Sequence, residues 1–204
     1  MSKFQPCTVP LKDGRTLLLR EGEGADAAQV LSYLNRVGGE SDNLLFGQDG
    51  FPMPVEREAV FLSRQQQEEK SLMLVGFVGE ELVCVASCDA LTARERVAHR
   101  ASVSVTVGKA FWRLGIGRKA MEALIAFAKG CGLEVLQLEV RSDNAPAIAL
   151  YESLGFEKMG LYKNFMKVNG QACDAWYMDL YLNKGGKSPC GCTTSFIKSG
   201  KAAS

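Results

Sequence analysis

Apolar and polar positions along this chain fall into short segments with two periods. Leu136, Leu138 and Val140 alternate with Gln137, Glu139 and Arg141, the period of two that turns one face of a β-strand toward a core. Ala147, Ile148, Leu150, Tyr151 and Leu154 instead form an apolar stripe at helical spacing, with Asn144 as N-cap, Pro146 in the first turn and Gly155 at the C-terminal end. Read in the same way, Thr16 to Arg20 is a strand and Ala25 to Val37 a helix ending at Gly38-Gly39. A loop with Asp42, Asn43 and Phe46 leads to a helix near Pro54 to Gln67. Strands Leu72 to Val78 and Leu82 to Ala90 follow, joined by the hairpin-sized turn Gly79-Glu80. Val103 to Val107 is a strand, and a helix then opens near Gly115 and closes at Gly130-Cys131-Gly132. Lys158 to Lys167 and Cys173 to Leu182 read as paired strands across Val168-Asn169-Gly170, where Asn-Gly is a strong hairpin signal. These elements span residues 12–183 and predict one α/β domain of the α+β kind, with no internal repeat. The stretch 184–204, rich in Gly, Ser and Lys, reads as a flexible tail without assigned function.

Chemistry concentrates where the strand Val103–Val107 gives way to the next helix. Gly115 and Gly117 open that helix, with Arg113, Arg118 and Lys119 beside them. A helix N-terminus presents unpaired N–H groups and roughly half a positive charge, and glycine lets an anion approach the backbone closely. The segment therefore reads as a pyrophosphate site. Gly115-Ile-Gly117-Arg-Lys-Ala120 formally matches the dinucleotide fingerprint GxGxxA, but that motif turns directly from strand into helix. Here Gly108 to Leu114 intervene, and no GxxxxGK[ST] loop is present. A nicotinamide enzyme is therefore a distant reading, and phosphoryl transfer has no support.

The spacing resembles the acetyl-CoA loop of the GNAT N-acetyltransferases, [QR]-x-x-G-x-[GA], with Trp112 standing where the pattern has Gln or Arg. Farther on, Asn144-Ala-Pro-Ala-Ile148-Ala-Leu-Tyr151-Glu-Ser-Leu-Gly155-Phe156 resembles the family's second signature, N-x-x-A-I-x-L-Y-x-x-x-G-F, at every fixed position. The two signatures occur in the family's order, and the succession of elements agrees with it. The resemblance implies a mixed central sheet of six to seven strands flanked by about four helices. It also implies acetyl-CoA as acyl donor. Backbone groups of Val105 and Val107 would meet the acetyl and pantetheine parts, and the loop Arg113, Leu114, Gly115, Ile116, Gly117 and Arg118 would cradle the pyrophosphate. Asn144 would contact the pantetheine or a water, besides serving as a plain N-cap. Tyr151 takes the place of the tyrosine that protonates the leaving thiolate, against the alternative of an ordinary core aromatic. Around Glu139 and Tyr151 the chain further resembles bacterial acetyltransferases of the N-terminal alanine of a ribosomal protein. In those a glutamate twelve residues before the motif tyrosine is the base, the same separation as Glu139 to Tyr151.

Composition narrows the classes further. With 204 residues, 47% of them hydrophobic, the chain is long enough for one sizeable core. A net charge of +1 gives no reason to expect a nucleic-acid partner. The apolar runs are too short for a membrane span, and Met1-Ser-Lys-Phe lacks a signal-peptide core, so a cytoplasmic protein is expected. Seven cysteines in no framework spacing read as reduced thiols. Cys190-Gly-Cys192 and the single His99 do not make a zinc set, so no metal is expected. A homodimer is left open.

Acetyl transfer from a thioester to an amine requires the donor held, the amine deprotonated and the leaving thiolate protonated. An alkyl amine with pKa about 10.4 is neutral in only about one molecule in 10³ at pH 7, which makes a base valuable. Glu139, on the polar face of its strand, is one candidate, His99 a reserve, and an ordered water the third. The acceptor would be shaped by the segments near Asp42 to Phe46 and Tyr162 to Asp174, whose mixed acids and aromatics leave its identity open. The expected function is direct transfer of acetyl to a primary amine in a ternary complex. The alternative from another class is a non-catalytic acyl-CoA-binding or sensing domain.

Overall fold

Among the described residues the strand segments assemble side by side into one eight-stranded sheet, in the order β1-β2-β3-β4-β5-β6-β8-β7. The strands are β1 Cys7–Pro10, β2 Thr16–Glu21, β3 Leu72–Val78, β4 Glu81–Ala90, β5 Arg100–Val107, β6 Val135–Arg141, β7 Glu157–Val168 and β8 Gln171–Tyr181. The helices are α1 Ala27–Glu40, α2 Val55–Gln67, α3 Ile116–Gly130 and α4 Ala145–Ser153. Neighbouring strands run antiparallel except β5 and β6, which are parallel and joined through α3, so the sheet is mixed. This computed structural model describes residues 3–48, 50 and 53–182; the 184–204 tail, with Cys190 and Cys192, lies outside them.

The sheet has one strand more than the upper end of the six to seven expected. The addition, β1, is four largely exposed residues, too short to show a period. It exists because the chain folds back at Gly14, whose φ of 85° favours glycine, and sets Cys7 to Pro10 against Leu19 to Thr16. Helix α1 also runs past its expected stop, through Gly38 and Gly39 to Glu40. Gly38 is there for space rather than for termination: a Cβ on it would stand 2.2 Å from the Gly47 carbonyl oxygen.

Each face of the sheet buries its own core. On one, Leu136, Leu138 and Val140 of β6 pack with Ile116, Met121 and Leu124 of α3 and with Ile148 and Tyr151 of α4. On the other, Val75, Phe77 and Val85 pack with Val30, Tyr33 and Leu34 of α1 and Leu62 of α2. Strand alternation then sends Gln137, Glu139 and Arg141 to the α1/α2 side of the sheet. Among the described residues no helix is long and apolar enough to cross a membrane.

Candidate functional site

The parallel pair β5–β6 is short. Its ladder runs only from Arg100↔Val135 to Ser102↔Gln137, although β5 continues to Val107 and β6 to Arg141. Beyond that point each strand stays with its other neighbour: β5 pairs with β4 as far as Cys84↔Val107, and β6 with β8 as far as Arg141↔Ala175. The sheet therefore opens into a wedge. At its root the Arg100 guanidinium donates to Gln137 Oε1 (3.0 Å), Tyr177 hydroxyl (2.9 Å) and both Asp179 oxygens (2.9 and 3.0 Å), bridging β5, β6 and β8.

The wedge has a polar edge. Gly108 N–H donates to Val83 O, so strand alternation turns the even-numbered backbone groups of β5 toward β4. Those of Val105 and Val107 consequently face the opening. Of these, the Val107 carbonyl already accepts a 2.7 Å bond from Trp112 Nε1.

At the mouth stands the start of α3. Gly115 is its N-cap, with φ of 93° and no side-chain cap. Lys119 N–H donates to Gly115 O, the first intrahelical bond, while the N–H groups of Ile116, Gly117 and Arg118 belong to the unpaired first turn. A Cβ on Gly117 would lie 3.6 Å from Leu150 and 3.7 Å from Val107, so α3, α4 and β5 converge here. Arg113 has φ of 65°, and no ion pair or hydrogen bond engages its side chain among the described residues. Arg118 donates to Ser153 Oγ at 2.6 Å, linking α3 to α4. Uncapped N–H groups, left-handed glycine and nearby guanidinium groups suit a pyrophosphate.

Tyr151 and Glu139 lie on opposite faces of the sheet, and the wedge connects those faces. Tyr151 is 8% exposed and meets Phe156 edge to face at 5.8 Å. Burial pushes its hydroxyl up to about 12, and no protein group among the described residues bonds it. Glu139 pairs across the ladder with Tyr177, and its side chain is partly exposed. Partial burial raises its carboxyl above the ordinary glutamate range. Asn144 caps α4, its Oδ1 accepting from Ala147 N–H at 3.3 Å. His99 is elsewhere: it precedes β5, about 20 Å along the strand from Val105, and its carbonyl binds Glu134 N–H at 2.8 Å.

One of the two segments expected to shape the acceptor reaches β6 at Arg141. Its guanidinium binds Asp143 at 2.9 and 2.5 Å and the Asp42 carbonyl at 2.8 Å, tying the α1–α2 loop to β6. Tyr162 lies 5.9 Å from Tyr177, giving Glu139 an aromatic flank. Sequence reasoning assigned no role to Tyr177, Arg100 or Asp179. For Tyr177 and Asp179 the signal, polar residues alternating with core positions on Cys173 to Leu182, was present without a partner to interpret it; Arg100 precedes the Val103 to Val107 segment that the sequence marks as a strand.

Comparison with known proteins agrees with this geometry. Residues 45–156 match the profile of the Acetyltransferase (GNAT) family. The N-alpha-acetyltransferase RimI of Mycobacterium tuberculosis is 41% identical over 75 residues, 37% of this chain and 44% of that protein. The [ribosomal protein bS18]-alanine N-acetyltransferase of Salmonella typhimurium is 41% identical over 103 residues, 46% of this chain and 70% of that protein. In the first of these the chain thus spans less than half of the relative's length. The crystal structure of a GNAT-family acetyltransferase from Streptococcus pneumoniae superposes with a TM-score of 0.78 at 30% identity, covering 81% of this chain and 98% of the other.

Proposed function

The chain belongs to the acetyltransferase (GNAT) family, and on that premise we propose that it is an acetyl-CoA-dependent N-acetyltransferase, transferring acetyl directly to a primary amine in a ternary complex. The acetyltransferase unit is residues 12–183. One observation carries the reading: a wedge through the sheet, edged by the backbone of Val105 and Val107, with the uncapped start of α3 at its mouth. A long, thin, amide-bearing ligand with a pyrophosphate suits that combination, and acetyl-CoA would supply the reactive thioester. Arg113 to Arg118 hold the pyrophosphate through backbone N–H groups, Val105 and the Val107 N–H hold the acyl and pantetheine part, and Asn144 borders it.

Glu139 removes the amine proton from the α1/α2 side of the wedge. Tyr151 stands on the α3/α4 side and donates its hydroxyl proton toward the sulfur as negative charge builds there. A phenol raised to about 12 keeps its proton throughout the neutral range, so the donor form is always present. By their names, the relatives act on an α-amine and on a ribosomal-protein alanine. This supports a peptide or protein amine as acceptor, with a small-molecule amine as the other case.

An acetyl-transfer assay on a panel of peptide and small-molecule amines, with wild type and Tyr151→Phe, tests the reading. The variant is expected to lose about 10²-fold in rate while its acetyl-CoA affinity stays within twofold of wild type. A wild type that binds acetyl-CoA but acetylates no amine would make the chain an acyl-CoA-binding or sensing domain instead.

A further inference from the structure

The connection from β5 to α3 is pinned at two points before it reaches the pyrophosphate loop. Glu40 Oε2, at the end of α1, accepts from Lys109 N–H at 2.6 Å. Trp112 Nε1 donates to Val107 O at 2.7 Å, folding the connection back onto the strand it has just left. Between the pins lies one tight turn, Lys109–Phe111, with Phe111 buried. Beyond them come two left-handed residues, Arg113 at φ 65° and Gly115 at φ 93°.

The backbone of Arg113 requires an explanation. A non-glycine residue in the left-handed region is strained and persists only where its surroundings impose it. Its own side chain is not the cause, since no partner engages it among the described residues. The residue just before it is the anchored one. Trp112 is 45% exposed, so its ring is not in place mainly for core packing, yet its one polar atom makes a short bond. It also stands where the family's loop pattern carries Gln or Arg.

We propose that Trp112 is a positioning residue for the cofactor: its indole N–H, bound to the Val107 carbonyl, holds the pyrophosphate loop in its binding shape before the cofactor arrives. The inference rests on the acetyl-CoA reading. A loop ordered in advance loses less conformational freedom on binding, and affinity gains by that difference. The anchored carbonyl also divides the work along the wedge. Val107 gives its oxygen to the loop, leaving its N–H and the groups of Val105 to face the cofactor.

The test pairs calorimetric titration of acetyl-CoA with amide hydrogen exchange of the unliganded protein, on wild type and Trp112→Phe. Phenylalanine keeps an aromatic ring and removes the donor. Binding is expected to weaken about five- to tenfold, the effect of one hydrogen bond. The amides of Phe111 and Lys119, which donate to Gly108 O and Gly115 O, are expected to exchange at least about fivefold faster, with β6 unchanged. Wild-type binding with a variant affinity within twofold of it, or unchanged exchange at those two amides, overturns the inference alone. A variant that does not fold also overturns it, because Trp112 would then be holding the core. No acetyl-CoA binding by folded wild type overturns the acetyltransferase reading, and this inference with it.

Discussion

Glu139 shows how far one side chain depends on its strand. Its neighbours Leu138 and Val140 are core, so alternation alone sends it to the opposite face, beside Tyr177 and within the polar run Gln137-Glu139-Arg141. Arg141 cannot neutralise it, because that guanidinium is committed to Asp143 and the Asp42 carbonyl. Partial burial without a counter-charge raises its carboxyl, so the protonated form persists to higher pH than in a free glutamate. In the proposed base role it works only when ionised. The wild-type kcat profile is therefore expected to fall on the acid side with a break above the ordinary value of about 4.3. Glu139→Gln removes that step and lowers kcat about 10²-fold at neutral pH. The sign for stability is opposite. A raised carboxyl destabilises the fold once it ionises, so the glutamine variant should melt no lower than wild type at pH 7. An acid limb that survives in Glu139→Gln would assign the proton to a water or another group.

Helix α3 joins packing to binding. Its buried face, Ile116, Ala120, Met121, Leu124 and Ala128, seats it on the sheet and aims its N-terminus at the wedge. Gly115 terminates it at φ 93°, in open space where a Cβ would touch nothing within 4 Å. Substitution here acts through the backbone and through charge, with no steric clash against the protein. Gly115→Ala is expected to weaken acetyl-CoA binding about tenfold, in line with the cost of left-handed backbone at a residue with a Cβ. Gly115→Asp should abolish measurable binding, since it sets a carboxylate where the pyrophosphate would sit. Aspartate is a favoured N-cap, so the helix itself should persist. Calorimetric titration alongside circular dichroism separates the two effects; an alanine variant that binds like wild type would remove the left-handed cap from the argument.

Across the whole molecule, the ends of distant segments are fastened by a few polar contacts. The Lys3 ammonium donates to the carbonyls of Gln65 (2.6 Å), Glu68 (2.8 Å) and Ser71 (2.5 Å), capping the end of α2 and the approach to β3. Its backbone N–H donates to Glu21 Oε2 at 3.0 Å, and Glu21, at the end of β2, is 5% exposed. One residue thus joins β2, α2 and β3. Lys3→Met leaves those carbonyls without this donor and removes the ammonium that stands 3.5 Å from Glu21 Oε1. We expect a loss of about 2–3 kcal/mol, roughly 5–10 °C in melting temperature for a chain of this size. Acetyl-CoA affinity should be unchanged, because the wedge lies two strands away. A melting temperature within a degree of wild type would reduce Lys3 to a surface contact.

Much of the architecture was legible in the chain because its signals are local. Periods of two and of helical spacing, Asn144 as a cap, Gly115 at a helix start and Asn169-Gly170 at a hairpin each depend on a few neighbouring residues. The strand β1 was not legible because four largely exposed residues show no period, and the run of α1 through Gly38 and the clamp at Lys3 were not because each is decided by backbone outside its own segment. The same division runs through the candidate site. Sequence by itself determined which residues could serve: a glycine loop beside cations, a tyrosine on a helix, a glutamate on a polar strand face. Only tertiary structure decided that β5 and β6 part after three pairs, that the opening joins the faces bearing Glu139 and Tyr151, and that Trp112 occupies the Val107 carbonyl. Which backbone groups remain unpaired depends on how strands separated by a whole helix settle against their other neighbours, and no local pattern carries that information.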